Sequence, residues 1–321
     1  MKTRDECVHG TVALARVMDP DLARVLEALR DTLGFVLRGF PGAMACSLER
    51  ADMPTLAAQP YYVCEKTVGV RCLLFCCTLG DGTRVCALVD RKLSVFLLPL
   101  RHMSTAMFQG SVVDCEVARN KVAGAWQLLV FDAYVLCGVK VHHAAFSDRM
   151  RAAHRALAVY RPHPEDAATI RVKTFYATTE FFLDREAEAG IARHFDIDGV
   201  VLTPELSPAV FGKHPGLFKV KTHHTVDFKV GKNGLDLYVF QPALRCDVRV
   251  AKLVAPAEPG SIVECTCPAG HPDAWAVYRV RTDKRLGNDH TTYSKTVLNM
   301  REGITYDDLQ AAFDGLGSPP P

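Results

Sequence analysis

Apolar residues recur at a helical spacing near the N-terminus of the chain. In the segment DPDLARVLEALRDTLGF, residues 19–35, they stand three or four positions apart and fall on one helix face. We expect Asp19 to cap this helix and Pro20 to take its first position. The apolar face consists of Leu22, Val25, Leu26, Leu29 and Leu33.

Between residues 61 and 141 the pattern changes to short apolar runs separated by turn residues, which predicts strands. Several runs are almost entirely apolar, so we expect them to be buried on both faces of a sheet. Asp81 and Gly82 form a hairpin signal. The runs are VGVRCLLFCCTL, RVCALVD, LSVFLLPL, GSVVDCEV and WQLLVFDAYVL.

Helical spacing returns in SDRMRAAHRALAVY, where Ser147 is the expected cap, and in TEFFLDREAEAGIARHF, residues 179–195. The strand-like runs DGVVLTP and GLFKVK follow. From Asp227 onward, five short strands predict a small barrel such as an OB-fold. Thr305 and Asp308 form a capping box for a final helix, and GLGSPPP is expected to be a frayed tail.

These elements predict an α+β fold with two domains. The first is expected over residues 1–226, with a large antiparallel core and with the C-terminal helix, residues 304–315, packing back on it. The second is expected over residues 227–303 as the small barrel. A cleft that opens and closes between two such domains would suit nucleotide chemistry.

Composition narrows the setting in which the protein acts. The chain has 321 residues and a net charge of +2, so nothing indicates tight nonspecific nucleic-acid binding, although a local basic cleft remains open. No run of 18 apolar residues predicts a membrane span, and the N-terminus lacks a signal-peptide core. The 12 cysteines have no zinc-ligand spacing, so we expect free, buried thiols in a reducing intracellular compartment.

Charged residues inside the apolar strands carry the candidate chemistry. Burying an isolated charge is costly, so each should have a partner or a ligand. The set comprises Lys66, Arg71, Asp90, Arg91, Glu116, Lys173, Asp198, Lys219, Lys221, Arg281, Asp283 and Lys284.

Two lysines of the GLFKVK run alternate with apolar residues. Lys219 and Lys221 therefore point to one face of their strand, where two like charges repel unless an anion lies between them. A phosphate chain is the natural candidate. The alternative is an exposed edge strand that carries lysines against aggregation.

Lys66 stands at the mouth of an apolar run and is a candidate nucleophile. A lysine amine attacks only when neutral, so its pKa must fall, and nearby cations or a metal ion would lower it. Gly69 would let the backbone approach a ligand. The alternative is a lysine whose charge reaches solvent from a strand end.

Two acids and one aromatic residue complete the candidates. Glu116 and Asp198 could hold Mg²⁺ or Mn²⁺ through oxygen, or could pair with one of the lysines. Phe131 could stack on a base or pack in the core.

The order of these motifs resembles the covalent nucleotidyltransferases, which include capping enzymes and ATP-dependent ligases. EKTVGVR looks like motif I, K-x-D-G-x-R; VVDCEV like the D-G-E motif III; and LLVFDA like motif IIIa. DIDGVVL, LFKVK and WAVYRVRTDK look like motifs IV, V and VI. The similarity runs from about Cys46 to Leu309 and is greatest to mRNA guanylyltransferases of the chlorella virus type, which THHTVDF and GSIVEC also resemble.

The resemblance implies a nucleotidyltransferase domain with ATP-grasp-like antiparallel sheets, followed by an OB-fold. Lys66 would attack the α-phosphate of GTP, and the GMP would then pass to a 5′-diphosphate RNA end. Phe131 would stack on guanine, Arg71 and Arg91 would meet the sugar, and Glu116 and Asp198 would serve the ribose or the metal. The phosphates would be held by Lys173, Lys219 and Lys221 and, on the second domain, by Arg281, Asp283 and Lys284. Glu65, Thr67 and Gly69 complete the expected GTP-binding set.

Two positions depart from the family pattern. Val68 replaces the aspartate of motif I, and Cys115 replaces the glycine of motif III and places a side chain close to Glu116. The nucleophile and the phosphate-binding positions are all present, so we expect an active enzyme, with lower activity if the missing acid orients Lys66.

Two other functions stay open at this point. A polynucleotide ligase would use ATP instead of GTP, and a catalytically inactive RNA-end-binding subunit would bind without a covalent adduct. For a guanylyltransferase, we expect a monomer without a membrane anchor, in the nucleus or cytoplasm of a host or in a virion. Separate proteins would supply the RNA triphosphatase and cap methyltransferase, and docking on an RNA polymerase remains open.

Overall fold

The computed structural model describes residues 1–8, 10–178, 194–267 and 274–314. The helix expected over residues 179–195 lies almost entirely outside these ranges, and the tail expected at residues 315–321 lies wholly outside them. The chain divides into two compact units. The first unit comprises Met1–Cys46, Thr55–Lys219 and Gln310–Pro321, and the barrel unit comprises Ser47–Pro54 and Val220–Leu309. The expected boundary after residue 226 therefore differs from the observed one, and Ser47–Pro54 was not expected to leave the first domain.

The elements are numbered in chain order. The strands within the described residues are β1 (Thr3–Cys7), β2 (Ala13–Val17), β3 (Ala43–Ser47), β4 (Tyr61–Thr67), β5 (Val70–Thr78), β6 (Arg84–Asp90), β7 (Val95–Leu97), β8 (Ser111–Arg119), β9 (Trp126–Leu136), β10 (Val139–Lys140), β11 (Thr169–Val172), β12 (Tyr176–Ala177), β13 (Ile197–Pro204), β14 (Gly212–Lys221), β15 (Thr225–Val230), β16 (Asp236–Gln241), β17 (Cys246–Leu253), β18 (Ile262–Thr266) and β19 (Ala274–Val280). The α-helices are α1 (Asp21–Leu33), α2 (Met53–Leu56), α3 (Phe146–Leu157), α4 (His290–Glu302) and α5 (Tyr306–Phe313).

The larger sheet of the first unit has the strand order β1-β2-β7-β6-β5-β8-β9-β10, and β11 pairs with β9 in parallel. The hairpin predicted at Asp81 and Gly82 is confirmed, because β5 and β6 pair from Thr78 and Arg84 onward and Gly82 has a φ of 85°. β5 is buried on both faces, as its apolar sequence predicts. Leu74 lies in the core beneath α3, whereas Leu73 lies in the core beneath α1.

The smaller sheet of the first unit has the order β12-β4-β13-β14-β3. β4 and β13 pair antiparallel, with a register shift between Ile197 and Val200. This pairing places the end of β4, which carries Lys66, beside the start of β13, which carries Asp198. The strands predicted from DGVVLTP and GLFKVK are thus confirmed.

Two helix starts differ from the predicted ones. Pro20, not Asp19, takes the cap position of α1, and no side chain donates or accepts a capping bond there. α3 begins one residue before Ser147, whose N–H and hydroxyl both donate to the carboxylate of Glu205. Ser147 is therefore buried in a tertiary contact and does not act as a cap. The capping box of α5 is confirmed, because Thr305 N–H donates to Asp308 and Asp308 N–H to the Thr305 hydroxyl.

The barrel unit contains a closed five-stranded barrel with the order β15-β16-β17-β19-β18. Its core packs Phe228 against Trp275, with ring centroids 5.0 Å apart. α4 was missed from the sequence, because Val297 is its one buried residue and its apolar spacing is weak. Among the described residues, no helix has both the length and the apolar character needed to span a membrane.

Candidate active site

A cavity of about 480 Å³ lies in the first unit and is lined by strands of both sheets. Its volume falls in the range of small-molecule sites, roughly 300–1,000 Å³. The structure brings most of the predicted site residues of this unit to it. The predicted residues that line the cavity are Lys66, Thr67, Gly69, Arg71, Arg91, Glu116, Phe131, Lys173 and Lys219.

Lys66 is at the end of β4 and about a quarter exposed. Its Nζ donates to Asp198 Oδ1 at 2.6 Å. The nearest charge to this candidate nucleophile is therefore a carboxylate, whereas the sequence led us to expect cations. Of the two roles expected for Asp198, metal binding or pairing with a lysine, the structure shows the pairing. This ion pair fixes the position of the Lys66 amine.

Arg71 is held by a buried carboxylate that the candidate set omitted. Its Nε and Nη2 donate to Asp114 at 2.9 and 2.5 Å, and the Tyr134 hydroxyl also donates to Asp114. Burial opposes the charge of Arg71, but the Asp114 carboxylate outweighs burial and raises the pKa of Arg71 above its ordinary value. The guanidinium also lies over the rings of Phe40 and Phe131, 5.2 and 5.4 Å from their centroids.

Glu116 is a half-buried acid in the cavity wall. Burial raises the pKa of Glu116, and the positive charges of Lys173 and Lys66 offset part of that increase. Lys173 Nζ donates to the backbone carbonyl of Glu65 at 2.7 Å. Glu65 does not line the cavity, and its contact with the site is this hydrogen bond to Lys173.

Phe131 lies in the cavity wall, where it could stack on a base, and not in the core, which was its other predicted position. Arg91 directly follows β6 and is exposed. Burial alternates along β14, where Phe218 and Val220 are buried and Lys219 is half-buried. This agrees with the predicted alternation.

Gly69 has a packing role that the sequence did not indicate. A Cβ at this position would lie 2.5 Å from the carbonyl oxygen of Val117 and 2.7 Å from Cγ of Glu116. The absence of a side chain at Gly69 therefore lets the backbone pack closely against the neighbouring strand β8. This packing brings the motif I turn against Glu116.

The two departures from the family pattern lie in different surroundings. Val68 is 52% exposed, and its N–H donates to the carbonyl of Asp196. Cys115 is fully buried in the apolar core and its thiol donates to the carbonyl of Cys72. Because side chains alternate along β8, Cys115 points away from the face that carries Glu116, so the added side chain lies in the core and does not line the cavity.

The remaining predicted residues, Lys221, Arg281, Asp283 and Lys284, belong to the barrel unit. Arg281 Nη1 donates to Asp227 at 3.0 Å, and its Nε and Nη2 donate to Asp283, both at 2.8 Å. Lys284 also donates to Asp227. The cations of motif VI are thus held by acids of their own unit.

A second buried ion pair in the cavity wall was also missed. Arg149 of α3 donates to Asp132 through Nε at 2.8 Å and Nη2 at 3.1 Å, and its side chain is 2% exposed. A signal for it exists in the sequence, because Arg149 stands three residues after Phe146 and four before Ala153, on the apolar face of the helix. Asp114 and Asp132 each belong to a motif quoted above, so their motif positions could have identified them.

The donors present fit a divalent cation that is shared with a substrate. Among the described residues, no cluster of three or more histidine, cysteine, aspartate or glutamate side chains could hold a metal by itself. Mg²⁺ commonly binds through one or two carboxylates together with substrate phosphates. Glu116 and Asp198 supply such carboxylates beside a cation-lined cavity.

Solved structures that resemble this chain include DNA ligases. A mycobacterial DNA ligase D complexed with ATP and MES matches with a TM-score of 0.46 at 12% identity, covering 76% of this chain and 95% of that one. A Lig E DNA ligase matches with a TM-score of 0.39 at 17% identity, covering 77% and 100%.

Relatives with similar sequences carry capping-enzyme names. The mRNA-capping enzyme subunit alpha of Neurospora crassa is 26% identical over 91% of this chain and 89% of its own length. The subunit of the same name from Candida glabrata is 25% identical, with 84% and 79% covered. The mRNA-capping enzyme of Caenorhabditis elegans is 27% identical over 84% of this chain and 48% of its own length. The likeness to the chlorella virus type stays a prediction.

Family models cover nearly the whole described chain. The model for the mRNA capping enzyme catalytic domain matches residues 8–223, and the model for the mRNA capping enzyme C-terminal domain matches residues 222–310. The two matches meet near the end of β14, close to where the barrel unit begins. The motif order and the family models agree, and the chain belongs to the mRNA capping enzyme family.

Proposed function

We propose that this chain is an mRNA guanylyltransferase that takes GMP from GTP and transfers it to the 5′-diphosphate end of RNA. The observation that carries the proposal is the placement of Lys66, fixed by Asp198 at 2.6 Å, in the wall of a cavity also lined by Arg71, Lys173 and Lys219. Phosphoryl transfer depends on positioning and charge neutralisation, and this cavity supplies both.

In the first step, Nζ of Lys66, having lost its proton, attacks the α-phosphorus of GTP. A P–N bond forms, the bond to the bridging oxygen of the β-phosphate breaks, and pyrophosphate leaves. In the second step, a terminal oxygen of the RNA diphosphate attacks the same phosphorus. The P–N bond then breaks and the lysine amine takes up a proton.

The other residues of the cavity position the nucleotide. Phe131 offers a ring for the base, and Arg71 and Arg91 offer donors for the ribose and neighbouring groups. Lys173 and Lys219 would neutralise phosphate charge. Mg²⁺ or Mn²⁺ on Glu116 and Asp198 would neutralise further charge on the phosphates.

The barrel unit completes the proposed machinery. Its five strands and small core favour an OB-fold. Arg281 and Lys284 would meet the β- and γ-phosphates and orient pyrophosphate as the leaving group, and Asp283 would hold Arg281. RNA triphosphatase and cap methyltransferase activities would come from separate proteins. We also propose that the enzyme acts as a monomer in a reducing compartment, which its 12 free thiols favour.

The test is covalent labelling. The protein is incubated with GTP labelled at the α-phosphate and with Mg²⁺ or Mn²⁺, denatured, and separated on a gel. We expect a labelled band that is stable to alkali and cleaved by acid, as a phosphoramidate is, and no band with Lys66→Ala. Lys121→Ala is the matched control, because Lys121 pairs with Asp196 at 2.9 Å on the surface.

Parallel samples separate the alternative functions. Labelling with ATP instead of GTP would indicate a ligase. Binding of GTP or RNA by folded protein, without a covalent band under any metal condition, would indicate an inactive RNA-end-binding subunit. Either result would overturn the proposal.

A further inference from the structure

The barrel unit contains a buried carboxylate that the proposed reaction has not used. Asp227 lies on β15 within the THHTVDF segment and is 5% exposed. Arg281 Nη1 lies 3.0 Å from its Oδ1 and 3.3 Å from its Oδ2, and Lys284 Nζ donates to the same Oδ2. The charged ends of the two motif VI cations therefore meet at one carboxylate.

The loop that carries these cations is also fixed to Asp227 through the backbone. The N–H of Asp227 donates to the side-chain oxygen of Asn288 at 2.8 Å, and the N–H of Asn288 donates to the carbonyl of Asp227 at 2.6 Å. A Cβ at Gly287 would lie 2.8 Å from that carbonyl oxygen. The loop between Arg281 and Asn288 is thus held against β15 at both of its ends and at Lys284.

The two cations differ in how many donors remain for a ligand. Arg281 gives Nε and Nη2 to Asp283, and its Nη1 also lies 3.4 Å from Glu264. Its side chain is 15% exposed, whereas that of Lys284 is 37% exposed. An ammonium group has three donors and Asp227 takes one, so Lys284 is better placed to meet a phosphate.

We propose that Asp227 is a positioning residue that gathers Arg281 and Lys284 into one preorganised clamp for the pyrophosphate portion of GTP. This inference rests on the proposed function. Long cationic side chains lose conformational freedom when they bind, and a carboxylate that orders them in advance reduces that loss. The clamp should therefore act in formation of the lysyl–GMP adduct and in its reversal by pyrophosphate, and not in transfer of GMP to RNA.

The test compares Asp227→Asn with a matched control. Asp247→Asn removes a different carboxylate of the same barrel, whose partner is Lys229 at 2.7 Å. We expect Asp227→Asn to slow adduct formation about 10- to 100-fold, the factor associated with losing one charge-assisted hydrogen bond. Reversal of isolated adduct by added pyrophosphate should slow by a similar factor. Transfer of GMP from isolated adduct to diphosphate-ended RNA should match the wild type, as should both steps in Asp247→Asn.

Three results would count against the clamp. Adduct formation at the wild-type rate in folded Asp227→Asn would refute it. An equal loss in both steps, together with a lower melting temperature, would show a structural role for Asp227. If Asp227→Asn does not fold, Asp227→Glu decides, because it keeps the charge but displaces the cations, and wild-type kinetics in this variant would refute positioning.

The failure of this inference is distinguishable from failure of the proposed function. Wild-type protein that forms no adduct with GTP would overturn both. Wild-type protein that forms the adduct, with an unaffected Asp227→Asn variant, would overturn the clamp alone.

Discussion

The buried pair of Arg71 and Asp114 offers a quantitative test of how the cavity is held together. The substitution is Asp114→Asn, which keeps the shape of the side chain but removes its charge. Asp114 is fully buried and the side chain of Arg71 is 10% exposed, so the guanidinium would lose its counter-charge without gaining water. Removing one partner of a buried pair costs about 3–5 kcal/mol.

Asparagine recovers part of this cost. Its carbonyl oxygen can still accept one hydrogen bond, from Arg71 or from the Tyr134 hydroxyl, which contributes about 1 kcal/mol. The expected loss in the free energy of unfolding is therefore about 3 kcal/mol. For a unit of this size, about 2–4 °C per kcal/mol predicts a melting temperature lower by about 6–12 °C.

Tryptophan fluorescence can report the unfolding of the first unit separately from that of the barrel unit. The chain has two tryptophans, Trp126 on β9 and Trp275 in the barrel core. In a Trp275→Phe background, denaturant unfolding monitored at Trp126 reports the unit that contains the pair. Each variant is compared with this background protein.

A surface pair of the same residue types is the control. Asp81 pairs with Arg24 at 2.6 Å, and the two side chains are 49% and 46% exposed. Asp81→Asn keeps the acceptor for the N–H of Thr83 and should change stability little, because water replaces the lost partner. A loss for Asp114→Asn as small as that for Asp81→Asn would refute the argument from burial.

Three further variants test other parts of the structure. Gly69→Ala should lower both the melting temperature and the yield of labelled adduct, because its Cβ would lie 2.5 Å from the carbonyl of Val117, and wild-type values in thermal unfolding and labelling would contradict this packing. Cys115→Gly should lower stability by about 1–2 kcal/mol through a lost buried side chain and a flexible strand residue, but should leave the labelling rate per folded molecule unchanged, since Cys115 lies in the core behind the site. Burial first, and then the charge of Arg149, lowers the pKa of His214, whose Nδ1 accepts from the N–H of Gly216. The unfolded chain therefore binds a proton that the folded chain does not, so stability should fall as the pH drops below about 6.5, and His214→Gln should flatten this dependence in melting temperatures measured between acid and neutral pH.

The elements that were predicted well are those whose structure is determined by the spacing of apolar and turn residues in their own sequence. The buried strand β5 and the hairpin at Gly82 follow from apolar runs and a turn signal, and α1 follows from its apolar face. β1 and β2 were not predicted, because their short sequences are mostly polar or half-exposed and acquire their conformation by pairing with each other and with β7. Local spacing cannot report such pairing.

In the candidate site, too, local sequence predicted some features, whereas contacts between distant segments were missed. Motif order identified the candidate nucleophile Lys66 and most of the cations that line the cavity. The pairing of Arg71 with Asp114 and of Arg149 with Asp132 was not predicted, because these side chains meet only through the packing of neighbouring elements. Gly69 lines the cavity, and its expected role toward a ligand stays a prediction. Its packing against the adjacent strand, which excludes a Cβ, was not predicted for the same reason.

The barrel unit is not a continuous piece of chain. Ser47–Pro54 belongs to it, and within that unit Arg50 pairs with Asp308, Lys295 pairs with Glu49, and Asn299 donates to the carbonyl of Leu48. No single cut in the gene yields both units intact, because a barrel excised as one continuous segment lacks Ser47–Pro54, which its helices bind. Exchanging the barrel between relatives, or expressing it alone, would require this segment to be moved with it. We therefore expect evolution to have kept the two units together in one gene.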